Sequence, residues 1–140
     1  MSQYISKGII KRFNNYIDIA KALKGIKQTG RAFHITVATQ KKKVLAIGVN
    51  NYDRVVYKTK FGKYKVYGSK SYKPCLHSEI SAILKLGKED CSDIEFFNIR
   101  IDNNGEVAPS KPCANCMNML KIMGFKRIYY TNNQKRISVI

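Results

Sequence analysis

Apolar side chains recur at helical spacing near the start of the chain, at Ile9, Phe13, Tyr16, Ile17, Ala20 and Leu23. This stripe predicts an amphipathic helix that ends near Gly25. Two later runs, 33–39 and 44–49, are rich in β-branched residues, and Gln40 and three lysines separate them. Such a pattern predicts two strands joined as a hairpin.

The second half of the chain alternates between helical and extended patterns. Helical spacing covers 77–86 and about 113–123, and extended patterns cover 94–101, 127–131 and 136–140. Ser110 is the predicted N-cap of the later helix, and Gly87 and Gly124 end the two helices. The order α-β-β-α-β-α-β-β indicates an α/β sheet covered by helices, in one domain over residues 1–140.

The last two predicted strands lie very close together in the sequence. Only residues 132–135 separate them. A parallel pair needs a crossover of about a dozen residues or more, whereas an antiparallel pair needs only a short turn. The last two strands are therefore predicted to be antiparallel.

The charge of the chain is strongly unbalanced, because 26 Lys and Arg face 9 Asp and Glu, for a formal net charge of +17. Compositional bias of a genome would explain lysine in place of arginine, but it does not explain the scarcity of acids. We expect a polyanionic partner, either a nucleotide or single-stranded nucleic acid, rather than a membrane.

Many of the cations fall in one segment, where aromatic residues alternate with them. Residues 54–73 read as a basic hairpin arm. Its candidate contacts to phosphate or nucleic acid are Arg54, Lys58, Lys60, Lys63 and Lys65. A solvated face, or a contact with a second subunit of a homo-oligomer, remains the alternative.

Nothing near the N-terminus resembles an export signal, and the apolar run there is too short to span a membrane. This predicts a cytoplasmic protein. In a reducing compartment, the C-x-x-C spacing of Cys113 and Cys116 indicates metal or redox chemistry rather than a disulfide. Cys75 and Cys91 are expected to be small buried residues, and His34 a strand residue that binds no metal.

Two short motifs carry the candidate chemistry, His77-Ser78-Glu79 and Pro112-Cys113-Ala114-Asn115-Cys116. Both precede or begin predicted helices, and a helix N-terminus favours the thiolate form of cysteine that binds zinc. Three protein ligands, His77, Cys113 and Cys116, leave one zinc position for water, which is typical of a catalytic site. Glu79 lies two residues after His77, close enough to move protons.

The pairing of H-x-E with P-C-x-x-C resembles the cytidine deaminase superfamily of zinc-dependent base deaminases. The resemblance implies a three-layer α/β/α fold with a five-stranded mixed sheet. It also implies Zn²⁺ held by His77, Cys113 and Cys116, Glu79 as the catalytic acid and base, and a substrate contact by Asn50. The implied reaction converts cytosine to uracil by hydrolysis.

Two features depart from the deoxycytidylate branch. The short last hairpin resembles free-nucleoside deaminases and certain bacterial toxin deaminases, and Ser81 stands where many deoxycytidylate deaminases have asparagine. The substrate therefore stays open between a deoxycytidylate-type nucleotide and single-stranded nucleic acid. The alternative from another class is a basic nucleic-acid-binding or packaging protein that retains the fold and zinc with little catalysis.

Overall fold

A computed structural model describes residues 5–27, 33–55, 75–87 and 90–140. The helices and strands in this part of the chain are, in order, α1 (Lys7–Lys27), β1 (Phe33–Gln40), β2 (Lys43–Val49), β3 (Asn51–Val55), β4 (Cys75–Leu76), α2 (Ser78–Leu86), β5 (Glu95–Ile101), β6 (Val107–Ala108), α3 (Ala114–Ile122), β7 (Arg127–Thr131) and β8 (Ile137–Val139). None of these helices is both long enough and apolar enough to span a membrane.

The main sheet is mixed, with strand order β2-β1-β5-β7-β8. Only β5 and β7 run parallel, since the other neighbours in this order pair antiparallel. The sheet has six strands rather than the predicted five, because β6 also pairs with β5. The register explains the addition: β7 covers the first residues of β5, and β6 pairs with Arg100 and Ile101 farther along the same edge.

The two hairpins predicted within the main sheet are present. In the first, β1 and β2 pair antiparallel around Lys41 and Lys42, whose φ angles of 49° and 68° are left-handed. In the second, Tyr129 pairs with Val139 and Thr131 with Ile137. The antiparallel arrangement of the last two strands is therefore confirmed.

Helices cover both faces of the sheet, which confirms the three-layer arrangement. On one face, Phe13 and Tyr16 of α1 pack against Phe97. On the other face, α2 and α3 contribute Ile80, Ala82, Ile83, Cys116, Met119 and Leu120 to a core that includes Ala38 and Phe96. Neighbouring residues of a strand point to opposite faces, so Phe96 and Phe97 supply the two cores in turn.

Two helix boundaries differ from prediction. Helix α1 continues through Gly25 to Lys27. Helix α3 is capped by Cys113, not by Ser110, because the Sγ of Cys113 accepts the backbone N–H of Cys116 at 3.5 Å. Ser110 instead joins β5 to β7: its hydroxyl donates to the Asn98 carbonyl at 2.7 Å and accepts the Thr131 N–H at 2.8 Å.

The predicted basic arm is only partly described. Strands β3 and β4 pair antiparallel, with Asn51 opposite Leu76 and Val55 opposite Cys75, so the described residues on either side of 56–74 lie side by side. Arg54 belongs to β3. Lys58, Lys60, Lys63 and Lys65 lie outside the described residues, and their predicted role stays a prediction.

Candidate active site

His77 lies at the junction between β4 and α2, where it is the N-cap residue of the helix. Its backbone is extended, and its side chain makes no capping hydrogen bond. The imidazole instead faces two sulfur atoms. Its Nδ1 lies 3.5 Å from the Sγ of Cys116 and 3.8 Å from the Sγ of Cys113.

The two cysteines reach the histidine from the N-terminus of α3. Cys113 caps the helix and Cys116 follows one turn later, so both sulfurs lie at the same helix end. The nearest ligand atoms of His77, Cys113 and Cys116 all lie within 4.8 Å of one another. A tetrahedral zinc ion bound to nitrogen and sulfur would separate those two atoms by about 3.6 Å. The spacing of this group therefore fits a zinc ion.

Among the three side chains, the electrostatics favour the metal-binding, deprotonated form at Cys113. Hydrogen bonds from Cys116 and the His77 ring hold the pKa of Cys113 to about 4, so this sulfur is a thiolate at neutral pH. The hydrogen bond with Cys113, together with burial, raises the pKa of Cys116. The hydrogen bond with Cys113 also raises the pKa of His77. A thiolate beside an imidazole is a donor set that zinc prefers.

Glu79 lies in the first turn of α2, with only 6% of its surface exposed. Burial raises its pKa above the usual range of a carboxyl, although His77 and a hydrogen bond with Cys116 act in the opposite direction. A carboxylate with a raised pKa is a stronger base than one in water. Glu79 is therefore a buried carboxyl with a raised pKa beside the three potential ligands.

A chain of buried polar side chains holds this carboxylate from the sheet side. Asn98 Nδ2 donates to Glu79 Oε1 at 2.9 Å, and Thr36 Oγ1 donates to Asn98 Oδ1 at 2.8 Å. Ser78 Oγ lies 2.8 Å from Thr36 Oγ1 and 3.3 Å from Glu79 Oε1. The sequence motifs do not identify Thr36 or Asn98. The only signal of either is a polar residue in the middle of an apolar strand.

The sequence around this site matches a known protein family. A family model described as "Cytidine and deoxycytidylate deaminase zinc-binding region" matches residues 12–132 of the chain. This match covers both motifs and ends before β8 begins. The chain belongs to the cytidine and deoxycytidylate deaminase family.

Solved structures agree on the fold of this deaminase-family chain. The dCMP deaminase of cyanophage S-TIM5, in complex with dCMP and dUMP, matches with a TM-score of 0.55 and 19% identity, over 93% of this chain and 85% of that one. Its apo form matches with a TM-score of 0.52 and 20% identity, over 92% and 86% of the two chains. No curated protein matches the sequence.

Two other residues singled out from the sequence of this deaminase-family chain are Asn50, which lies between two strands, and His34, which lies on β1. Asn50 follows β2, its Oδ1 accepts the backbone N–H of His34 at 3.0 Å, and its own N–H donates to the His34 carbonyl at 3.2 Å. Among the described residues, His34 is not part of the group that fits a metal. The substrate contact predicted for Asn50 stays a prediction.

Cys91 and Ser81, which were also singled out from the sequence, contribute to packing and to contacts between elements. Cys91 is fully buried in the core, as predicted. The side-chain oxygen of Ser81, where many deoxycytidylate deaminases have asparagine, accepts the backbone N–H of Val49 at 3.3 Å. This contact fastens α2 to the end of β2.

Proposed function

We propose that this protein is a zinc-dependent hydrolytic deaminase that converts cytosine to uracil in a phosphate-bearing substrate. The observation that carries the proposal is the convergence of His77, Cys113 and Cys116 within 4.8 Å of one another, beside the buried carboxyl of Glu79. Three soft or borderline donors and a nearby carboxyl that lies outside the ligand group are the components of a hydrolytic zinc site.

In this proposal His77 Nδ1 and the sulfurs of Cys113 and Cys116 hold the zinc. When bound, zinc makes a water molecule acidic enough to supply hydroxide near neutral pH. Because the pKa of Cys113 is low, its sulfur is already negative at neutral pH and need not release a proton when zinc binds. The helix N-termini of α2 and α3 add positive potential at the same place.

Glu79 carries the protons. Hydrolysis adds the oxygen of water to C4 of cytosine and breaks the bond between C4 and the exocyclic nitrogen, which leaves as ammonia. Glu79 takes one proton from the water and gives it to N3 of the ring, and it then carries the proton of the new C4 hydroxyl to the leaving nitrogen. The carboxyl therefore ends the cycle as it began, C4 becomes a carbonyl, and ammonia leaves with three hydrogens. Burial raises the pKa of Glu79, and this makes the carboxylate a better proton acceptor.

The charge of the chain supports a phosphate-bearing substrate over a free nucleoside. A net charge of +17 attracts nucleotides and nucleic acids by long-range electrostatics. The structural relatives are dCMP deaminases, one of them in complex with dCMP and dUMP. Asn50, at the end of β2 in the segment Gly48-Val49-Asn50, is the proposed contact to substrate sugar or base.

The same excess of positive charge favours a second candidate, a nucleic-acid-binding or packaging protein with little catalysis. A binding protein has no need for a buried carboxyl with a raised pKa beside a potential metal site. Such a group costs stability, because burial penalises its charged form. The arrangement around Glu79 therefore supports the enzyme over the binding protein.

A substrate panel tests the proposal. Zinc-loaded protein is incubated with deoxycytidine, dCMP, cytosine-containing single-stranded DNA and single-stranded RNA, and uracil formation is measured at low and moderate salt. Turnover of a phosphate-bearing substrate above that of deoxycytidine supports the proposal. Inactivity on all four, with tight binding of a single strand, supports the nucleic-acid-binding protein instead.

A further inference from the structure

We propose that Asn98, itself oriented by Thr36, is a positioning residue that fixes the carboxyl of Glu79 for proton transfer. The inference rests on the proposed deaminase function. It starts from the sheet register, in which Thr36 of β1 and Asn98 of β5 stand directly opposite each other. Both side chains are buried, with exposures of 0% and 2%.

The chemistry of the three groups assigns the direction of each hydrogen bond. A carboxylate accepts only, so the amide nitrogen of Asn98 must face Glu79 Oε1, 2.9 Å away. The amide oxygen then faces Thr36, whose hydroxyl supplies the proton at 2.8 Å. The carboxylate therefore sets which way the Asn98 amide is turned, and Thr36 holds the amide oxygen in that orientation. A turned amide would place its oxygen against the carboxylate and repel it.

The network reaches Glu79 from elements that do not depend on the helix that carries it. Glu79 and Ser78 belong to α2, whereas Thr36 and Asn98 lie on two neighbouring strands of the central sheet. Ser78 is farther from the carboxylate, at 3.3 Å. Asn98 thus makes the shorter contact to Oε1 and ties the carboxyl to the rigid sheet. A misplacement of a catalytic group by 1 Å can slow a reaction by about 100-fold.

Paired substitutions separate positioning from packing. Thr36→Val keeps the size of the side chain and removes its hydroxyl, whereas Thr36→Ser keeps the hydroxyl and removes the methyl group. Asn98→Leu removes the donor itself. Thr39→Val is the matched control, because Thr39 is a fully buried threonine of the same strand whose hydroxyl bonds to Arg12 and to the Glu95 carbonyl instead.

We expect Asn98→Leu to lower kcat by about 10- to 100-fold, and Thr36→Val by a smaller factor, with KM and zinc content unchanged. Thr36→Ser should retain the kcat of the wild type even where it melts at a lower temperature, and Thr39→Val should retain kcat. Crystal structures of Asn98→Leu and Thr36→Val should show the Glu79 carboxyl rotated or in two positions. If Asn98→Leu does not fold, the Thr36 pair makes the same test.

Three results would overturn the inference. The first is a kcat that follows melting temperature across all variants, since that is the result of a purely structural role. The second is a wild-type kcat in Thr36→Val or Asn98→Leu. The third is a wild type that is inactive on every cytosine substrate, which removes the proposed function and, with it, the role assigned to Asn98.

Discussion

Gly48 of β2 lies directly beneath the first turn of α2, where a Cβ atom would come within 2.2 Å of the Ser78 carbonyl oxygen. The same atom would lie 2.3 Å from the backbone nitrogen of Ala82. Both neighbours are backbone, so no side chain can turn away to make room. Gly48 therefore lets the helix that carries Glu79 rest on the sheet.

Replacing Gly48 by alanine should destabilise the protein and lower its zinc affinity. The added methyl group must push α2 away from β2, and overpacking of this kind costs about 1–3 kcal/mol or more. Denaturant unfolding measures the loss of stability, and elemental analysis of the dialysed protein measures the zinc.

Gly25→Ala is the matched control for this substitution. Gly25 lies within α1 and a Cβ there meets nothing within 4 Å. Alanine is favoured over glycine in a helix by about 1 kcal/mol, so this variant should be as stable as the wild type or more so. Equal stability of Gly48→Ala and Gly25→Ala would contradict the close approach of α2.

The sequence predicts the potential metal ligands and Glu79 better than it predicts the residues that hydrogen-bond to them. His77 and Glu79 are two residues apart, and Cys113 and Cys116 are three apart, so each pair has a local pattern that a motif can reveal. Thr36 and Asn98 are 62 residues apart. Their contact depends on the register of β1 against β5, which no local pattern determines.

The helices and strands likewise divide into those that a local sequence pattern predicts and those that it does not. Hydrophobic periodicity predicts all three helices and the five longer strands of the main sheet within the described residues, because each buries an apolar stripe of its own. The two-residue strand β6 has no such stripe and arises from the edge of β5 that β7 leaves open. Ser110 was wrongly predicted as a helix cap, since a serine hydroxyl can equally join two strands.

The metal should depend on Cys113 and not on Cys91. We expect about one zinc per chain in the wild type and in Cys91→Ala, because Cys91 is buried in the hydrophobic core and is not one of the residues whose ligand atoms converge with His77. Cys113→Ala should lose zinc and stability together, since metal binding and folding are coupled. Full zinc retention in Cys113→Ala, measured by elemental analysis after dialysis, would contradict the assigned ligands.

His34 should make the protein less stable in acid. Burial, with smaller effects of Arg100 and His77, lowers the pKa of His34 to about 4, so the folded protein holds it neutral. Between the unfolded pKa of about 6.5 and pH 4, the unfolded chain binds more protons, and stability falls as pH falls. From pH 7.5 to pH 5 this loss amounts to about 2 kcal/mol.

His34→Gln isolates that loss, because all other titrating groups are shared with the wild type. The free energy of unfolding of both proteins is measured in urea at several pH values. As the pH is lowered, this free energy should fall less steeply for His34→Gln than for the wild type, so the two curves converge or cross. Parallel curves between pH 7.5 and pH 5 would show that His34 titrates as an exposed histidine.

The lysines of the basic segment should govern any binding to single strands. Each neutralised phosphate contributes about 0.7 to the slope of log affinity against log salt. Changing Lys58, Lys60, Lys63 and Lys65 together to glutamine should therefore flatten the slope by up to about 3. The control changes Lys41 and Lys42 of the β1–β2 turn, and Lys43 at the start of β2, to glutamine. An equal change of slope in both variants would argue for a diffuse charge effect rather than an arm.

The most direct test of the account compares wild type with Glu79→Gln, both carrying one zinc per chain, on dCMP and on a cytosine-containing single strand. Ammonia release measures turnover, and Glu106→Gln, at an exposed turn, is the control. General acid–base catalysis contributes about 10²- to 10⁴-fold, so Glu79→Gln should lose at least that much while Glu106→Gln stays active. Equal ammonia release by wild type and Glu79→Gln, or none from either, would contradict the account.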